Sequence, residues 1–221
     1  MKYQFELIRS LKDPETKFYQ LNIAEVVPFP IKHVAILISI GMVISIIRSF
    51  HGLDTAVFSQ QLTFYSVSEL ELIKLLVGIG SILEALFSPI IYLLFASFCF
   101  SIFLDDVSFR QSFIVSTVSL FIFILGDIAL LPFELWLGID AITSPFALGV
   151  IASSLTSNTY VSHLFSGVSV FYIWALIIQV YAFSKLAFNK VRFIILLALT
   201  IHLVFLFFSV LKTYLAIYLV L

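Results

Sequence analysis

The chain has 221 residues, 62% of them apolar and 11% charged, where a soluble domain is about 45–50% apolar and about 25% charged. A mean hydropathy of +1.15 with 25 Phe leaves too little polar surface to clothe a water-soluble domain, so lipid is the main solvent. Twelve Lys and Arg against thirteen Asp and Glu give a net charge of −1, which speaks against a nucleic-acid partner.

Residues 1–30 carry charges of both signs and precede an apolar run with no small-residue cleavage pattern after it, unlike a signal peptide. They are expected to stay as a cytoplasmic N-terminal segment. Within it, Asp13, Pro14 and Glu15 form a helix start: a capping carboxylate, a ring that presets φ, and negative charge at the positive end of the dipole. Phe18 and Leu21 then give that helix an apolar side, read as an amphipathic interfacial helix on the inner membrane surface. A cytosolic linker with one helical turn is the alternative.

A helix needs about 20 apolar residues to cross the roughly 30 Å hydrocarbon core. Five such runs predict an all-α polytopic membrane domain over 31–221, with spans at 31–47, 72–104, 109–131, 161–186 and 191–221. Arg48 closes the first, and Pro89 lies inside the second. Residues 132–160, interrupted by Pro132, Gly138, Pro145 and Gly149, read as an outer connector holding a short helix near Phe146 to Ser154. Nine Lys and Arg on the N-terminal side against Arg48, Lys74 and Lys212 on the other predict an N-in, C-out orientation. Trp136 and Tyr160 read as interface anchors and Trp174 as packing.

Ionisable groups inside a span cost about 2.5–3.5 kcal/mol at its centre by insertion scales, so each needs a partner or a wet cavity. Glu84, Asp127 and His202 are the candidates, each on a stripe of small polar residues at helical spacing. Ser81, Glu84, Ser88 and Tyr92 share a face of the second span. Ser112, Ser116, Ser119 and Asp127 share one of the third, and His202, Ser209 and Thr213 one of the fifth. At 1.5 Å per residue, Glu84 lies about 18 Å from outside and His202 about 16 Å from inside, close enough in level to meet. Asp127 belongs nearer the outer surface. These stripes serve either as a proton relay or substrate pocket, or as polar glue between helices. His33 and His163 fall at span ends, and Lys212 is expected to snorkel to the outer interface.

Chemistry-bearing motifs are missing from the sequence. Cys99 is the single cysteine, the four His have no metal-ligand spacing, and no G-x-S-x-G elbow or phosphate-binding glycine loop is present. Leu125, Gly126 and Asp127 lack the preceding glycine and the second aspartate of an intramembrane aspartyl protease. An enzyme, a cofactor and a metal site are therefore not expected.

The layout resembles the Ypt-interacting-protein (Yip) family of five-span membrane proteins, in its bacterial form. Leu11, Lys12, Asp13, Pro14, Glu15, Thr16, Lys17 and Phe18 are similar to the family's Asp-Pro-x-x-x-Phe helix. Val107, Ser108, Phe109, Arg110 and Gln111 are similar to its Ser-Phe-Arg/Lys-Gln approach to the third span. Phe165, Phe171, Trp174, Ala175, Tyr181, Ala182 and Phe183 are similar to its fourth span. Ala182 stands where the family often has Gly, and the third span lacks a mid-helix proline. The resemblance implies a non-enzymatic adaptor in the cell membrane that partners a membrane transport complex, such as an ABC exporter conferring antimicrobial-peptide resistance. The alternatives from the residues are a small proton-coupled transporter or channel built on Glu84 and His202, or a lipid-handling protein using the polar stripes as a headgroup path.

Overall fold

The computed structural model describes residues 3–53, 67–139, 143–156 and 158–220. Residues 140–142 and 157 of the expected connector, Leu221, and the side chains of Tyr160, Lys212 and Thr213 lie outside that description. In chain order the helices are α1 (Leu7–Lys12), α2 (Pro14–Asn22), α3 (Ile31–Phe50), α4 (Val67–Phe103), α5 (Phe109–Leu137), α6 (Gly149–Leu155), α7 (Thr159–Ser166), α8 (Val170–Leu186) and α9 (Val191–Val220). Four of them, α3, α4, α5 and α9, contain stretches long and apolar enough to cross a membrane, as in a multi-pass membrane protein. A helix suits lipid because it satisfies its own backbone donors and acceptors.

Three differences from the expected elements stand out. Helix α5 does not stop before Pro132 but continues to Leu137, ending where Gly138 turns to φ +63°. The helix continues through Pro132 with one backbone hydrogen bond fewer, and Arg48 binds it on both sides of that point, at Asp127 and at Glu134. The run at 161–186 is not one helix: α7 ends at Ser166 and α8, 17 residues long, begins at Val170. The backbone at that break is paired elsewhere, since the Val168 carbonyl accepts from the Leu148 amide at 3.1 Å and Ala147 bridges Ser169. The short helix of the connector spans 149–155 rather than 146–154.

The chain forms two compact units. The first comprises residues 1–37, 89–125 and 170–206. Its core holds Leu93, Ala96, Phe100, Ile114, Val118, Ala175, Ala182, Phe183, Ile194 and Ala198. The alanines let helix backbones approach closely, as membrane helices require when lipid supplies no hydrophobic drive for association. Phe100 stacks on Phe183 at 4.0 Å between ring centroids.

Helix α2 belongs to this unit and starts as its sequence demands, with the Asp13 carboxylate accepting from the Thr16 amide at 3.3 Å. Its apolar side is buried on protein: Phe18 and Leu21 are fully enclosed. Phe18 meets Tyr181 of α8, Glu15 pairs with Lys185 at 3.6 Å, and the Gln111 amide donates to the Leu21 carbonyl at 3.2 Å. The Gln111 side-chain oxygen also accepts from the backbone amide and hydroxyl of Ser108, each at 2.9 Å, while the Gln111 backbone amide donates to the Ser108 hydroxyl. This capping box starts α5.

The second unit comprises residues 38–88, 126–169 and 207–221. Helices α6 and α7 pack on each other, and Phe133 of α5 meets Phe146 edge to face at 5.5 Å. Helices α3 and α4 approach closely where Gly78 faces Ser49; a Cβ at Gly78 would run into the Ser49 hydroxyl.

Candidate functional site

Helix periodicity delivers the polar residues to two clusters, one in each unit. In the first unit, α9 carries His202, α8 Gln179 and α4 Tyr92, all buried. The His202 ring meets Gln179 through Nε2 and Oε1 at 2.7 Å, and Gln179 Nε2 donates to the Tyr92 hydroxyl at 3.3 Å. With the amide nitrogen engaged by Tyr92, the amide oxygen faces the ring, so His202 Nε2 is the donor. Tyr172 packs edge to face on the imidazole at 5.0 Å between centroids, and Phe123 lies at 6.1 Å. The partner of His202 is an amide, which accepts a proton's hydrogen bond without passing the proton on. This geometry fixes three helices together better than it relays charge.

In the second unit, the Arg48 guanidinium lies between two carboxylates of α5. Its Nε donates to Glu134 at 2.7 Å, and both terminal nitrogens reach one oxygen of Asp127 at 3.3 Å. Asp127 and Glu134 are seven residues apart, two helical turns, so one guanidinium fork spans both. The Glu134 side chain is 9% exposed and that of Asp127 42%, so the Glu134 bond is the more enclosed of the two.

Of the residues singled out in the sequence, Asp127 pairs with Arg48 and His202 with Gln179; neither bond joins two of the singled-out residues. Glu84 and Ser88 lie exposed on α4, and Ser81 is half-buried beside them. Ser112, Ser116 and Ser119 are fully buried on α5. Trp136 is 85% exposed near the end of α5, and Trp174 is partly exposed on α8. Among the described residues, no three His, Cys, Asp or Glu side chains gather as a metal-binding group.

Gln179, Glu134 and the role of Arg48 were not read from the sequence. Gln179 is uncharged and so is inconspicuous in an apolar run, although it faces His202 across the tight turn at Ala187–Lys190 between α8 and α9. Arg48 carried a usable signal: it is a cation on the side with few cations, at the same end of the spans as Asp127. Glu134 was hidden by the expectation that α5 stops at Pro132.

Compared with models of protein families, with curated proteins and with solved structures, the chain matches none of them.

Proposed function

We propose that this protein is a non-enzymatic membrane adaptor of the Yip type, set in the cell membrane, that docks a partner transport protein on the exposed face of α4. The observation that carries this reading is the exposed face of α4: Gly80 and Ser88, two turns apart, lie exposed on a helix otherwise apolar enough to cross the bilayer. Small residues let a partner helix approach closely, and a Cβ at Gly80 would meet nothing within 4 Å. An ABC exporter subunit is the partner class that the Yip resemblance supplies.

The topology belongs to the same proposal. Helix α8, at 17 residues, reaches about 25 Å and serves as the fifth span in a slightly thinned bilayer. The count of Lys and Arg supports an N-in, C-out orientation. Ile8, Tyr19, Ile23 and Val26 are exposed around α1 and α2 and support seating of the N-terminal segment at the inner interface. The transporter reading has less support, because the His202 ring is engaged by an amide.

Photo-cross-linkers placed at Gly80 and Ser88 in native membranes test the adaptor reading. One multi-span transport protein is expected in the adducts, and Gly80→Leu, which fills open space, is expected to abolish them without unfolding the chain. Adducts with lipid alone, or with a second copy alone, would overturn it.

A further inference from the structure

Two hydroxyls in the first unit depart from the habit of their neighbours. In a membrane helix, a Ser or Thr hydroxyl that lacks a side-chain partner ordinarily bonds back to a carbonyl one turn earlier. Here Ser97 donates to Leu93, Thr117 to Phe113, Ser119 to Val115 and Thr200 to Leu196. Ser112 and Ser116 do not. Both are 0% exposed, and their hydroxyl oxygens have no hydrogen-bond partner among the described residues.

Burying a hydroxyl without a partner costs about 1–3 kcal/mol, so two adjacent ones form an expensive pair unless something binds them. Their spacing states what fits. Residues four apart on a helix have Cβ atoms about 5–6 Å apart. Two O–H···O bonds of about 2.8 Å meeting at the near-tetrahedral angle of one oxygen span about 4.5 Å, a separation that two Oγ atoms on such Cβ positions can adopt. The ligand that suits this gap is a single small molecule able both to donate and to accept, without charge.

We propose that Ser112 and Ser116 hold one internal water molecule, bridging the two hydroxyls on the buried face of α5. Its place is built rather than incidental: α5 keeps Ser112, Ser116 and Ser119 on one buried face, with Val115 and Val118 enclosed beside them. Such a water makes about three bonds in other proteins, two of which these hydroxyls supply. This site is independent of the α4 docking face and stands whether or not that face binds a partner.

A density map of the detergent- or nanodisc-reconstituted protein, at a resolution that shows ordered solvent, tests it. A peak within hydrogen-bond distance of both hydroxyls is expected. The proposal is overturned if no peak is present and the hydroxyls turn back to the Ser108 and Ser112 carbonyls. Thermal unfolding of Ser112→Ala, Ser116→Ala and the double variant gives a second, sign-sensitive reading. A shared water predicts that each single substitution lowers Tm and that the double lowers it little further, because either change already releases the water. Unchanged or raised Tm in the single variants, adding up in the double, would mean that the site is dry.

Discussion

Arg48 and Glu134, 86 residues apart in the chain, meet at 2.7 Å through a charge-assisted bond on the carboxyl group that is only 9% exposed. The same guanidinium reaches the more exposed Asp127 at 3.3 Å. Removing one partner of a buried ion pair costs about 3–5 kcal/mol, because the other charge stays buried and unmatched, whereas exposed pairs contribute about 0–1 kcal/mol. Arg48→Ala and Glu134→Ala are therefore expected to destabilise strongly and Asp127→Ala weakly. Unfolding of the purified variants in one detergent checks the order. An Asp127 effect larger than that of Glu134 would contradict Glu134 as the more enclosed partner.

The Gln179 to His202 bond makes a different kind of prediction, about coupling. Gln179→Leu leaves the imidazole N–H without an acceptor in a dry interior, and a loss on the order of 1–2 kcal/mol is expected, near the top of the range for hydrogen bonds between membrane helices. His202→Leu in the Gln179→Leu background should cost much less than His202→Leu alone. A double-mutant cycle measures this, and strictly additive costs would show that the two side chains do not share a bond.

Docking of α2 rests on Phe18, fully buried against Tyr181. Truncating a buried Phe costs about 3–5 kcal/mol, more than a nine-residue helix can recover from its own propensity. Phe18→Ala is expected to release α1 and α2 from the unit while the membrane-crossing helices stay folded. Limited proteolysis reads this as faster cleavage before residue 30, with the remaining fragment intact. Cleavage at the rate of the unaltered protein would show that α2 is held by other contacts.

Tyr3 provides a pH dependence outside the membrane-spanning segments. Burial pushes its hydroxyl from 10 up to about 12; Glu6 adds to the rise and Ser10 opposes it. Between pH 10 and 12 the unfolded chain has released this proton while the folded chain retains it. Folding stability contributed by the neutral phenol is thus complete below pH 10 and is lost as pH rises through 12. Two units correspond to an upper bound of about 3 kcal/mol. Tyr3→Phe should flatten that part of the alkaline stability curve and remove one late-titrating phenolate from the absorbance profile. A curve unchanged by the substitution would show that Tyr3 titrates as an exposed tyrosine.

Much of the helical order was legible because its causes are local. The Asp13–Pro14–Glu15 start produced a helix beginning at Pro14, and the apolar runs opening at Ile31, Phe109 and Val191 opened helices at those residues. The Ser108 to Gln111 segment, noted as part of a family-like pattern, acts through elementary chemistry as a capping box that also binds α2. Errors arose where a distant group changed a local outcome. Pro132 is a sound breaking signal, but Arg48 holds α5 on both sides of it. The apolar stretch after Val161 has no strong internal breaker except Gly167, yet the Leu148 amide captures the Val168 carbonyl and divides it.

The sequence by itself determined that this chain lives with lipid and answers it with helices, because hydrophobic length and backbone self-sufficiency can be read a few residues at a time. It also marked Asp127 and His202 as groups in need of partners, since an ionisable side chain in an apolar run is conspicuous. Which partners they take was decided only by tertiary structure. Arg48 lies 79 residues from Asp127 and Gln179 lies 23 from His202, so neither pairing exists until packing brings the helices together, and the His202 bond owes its strength to burial that excludes competing water.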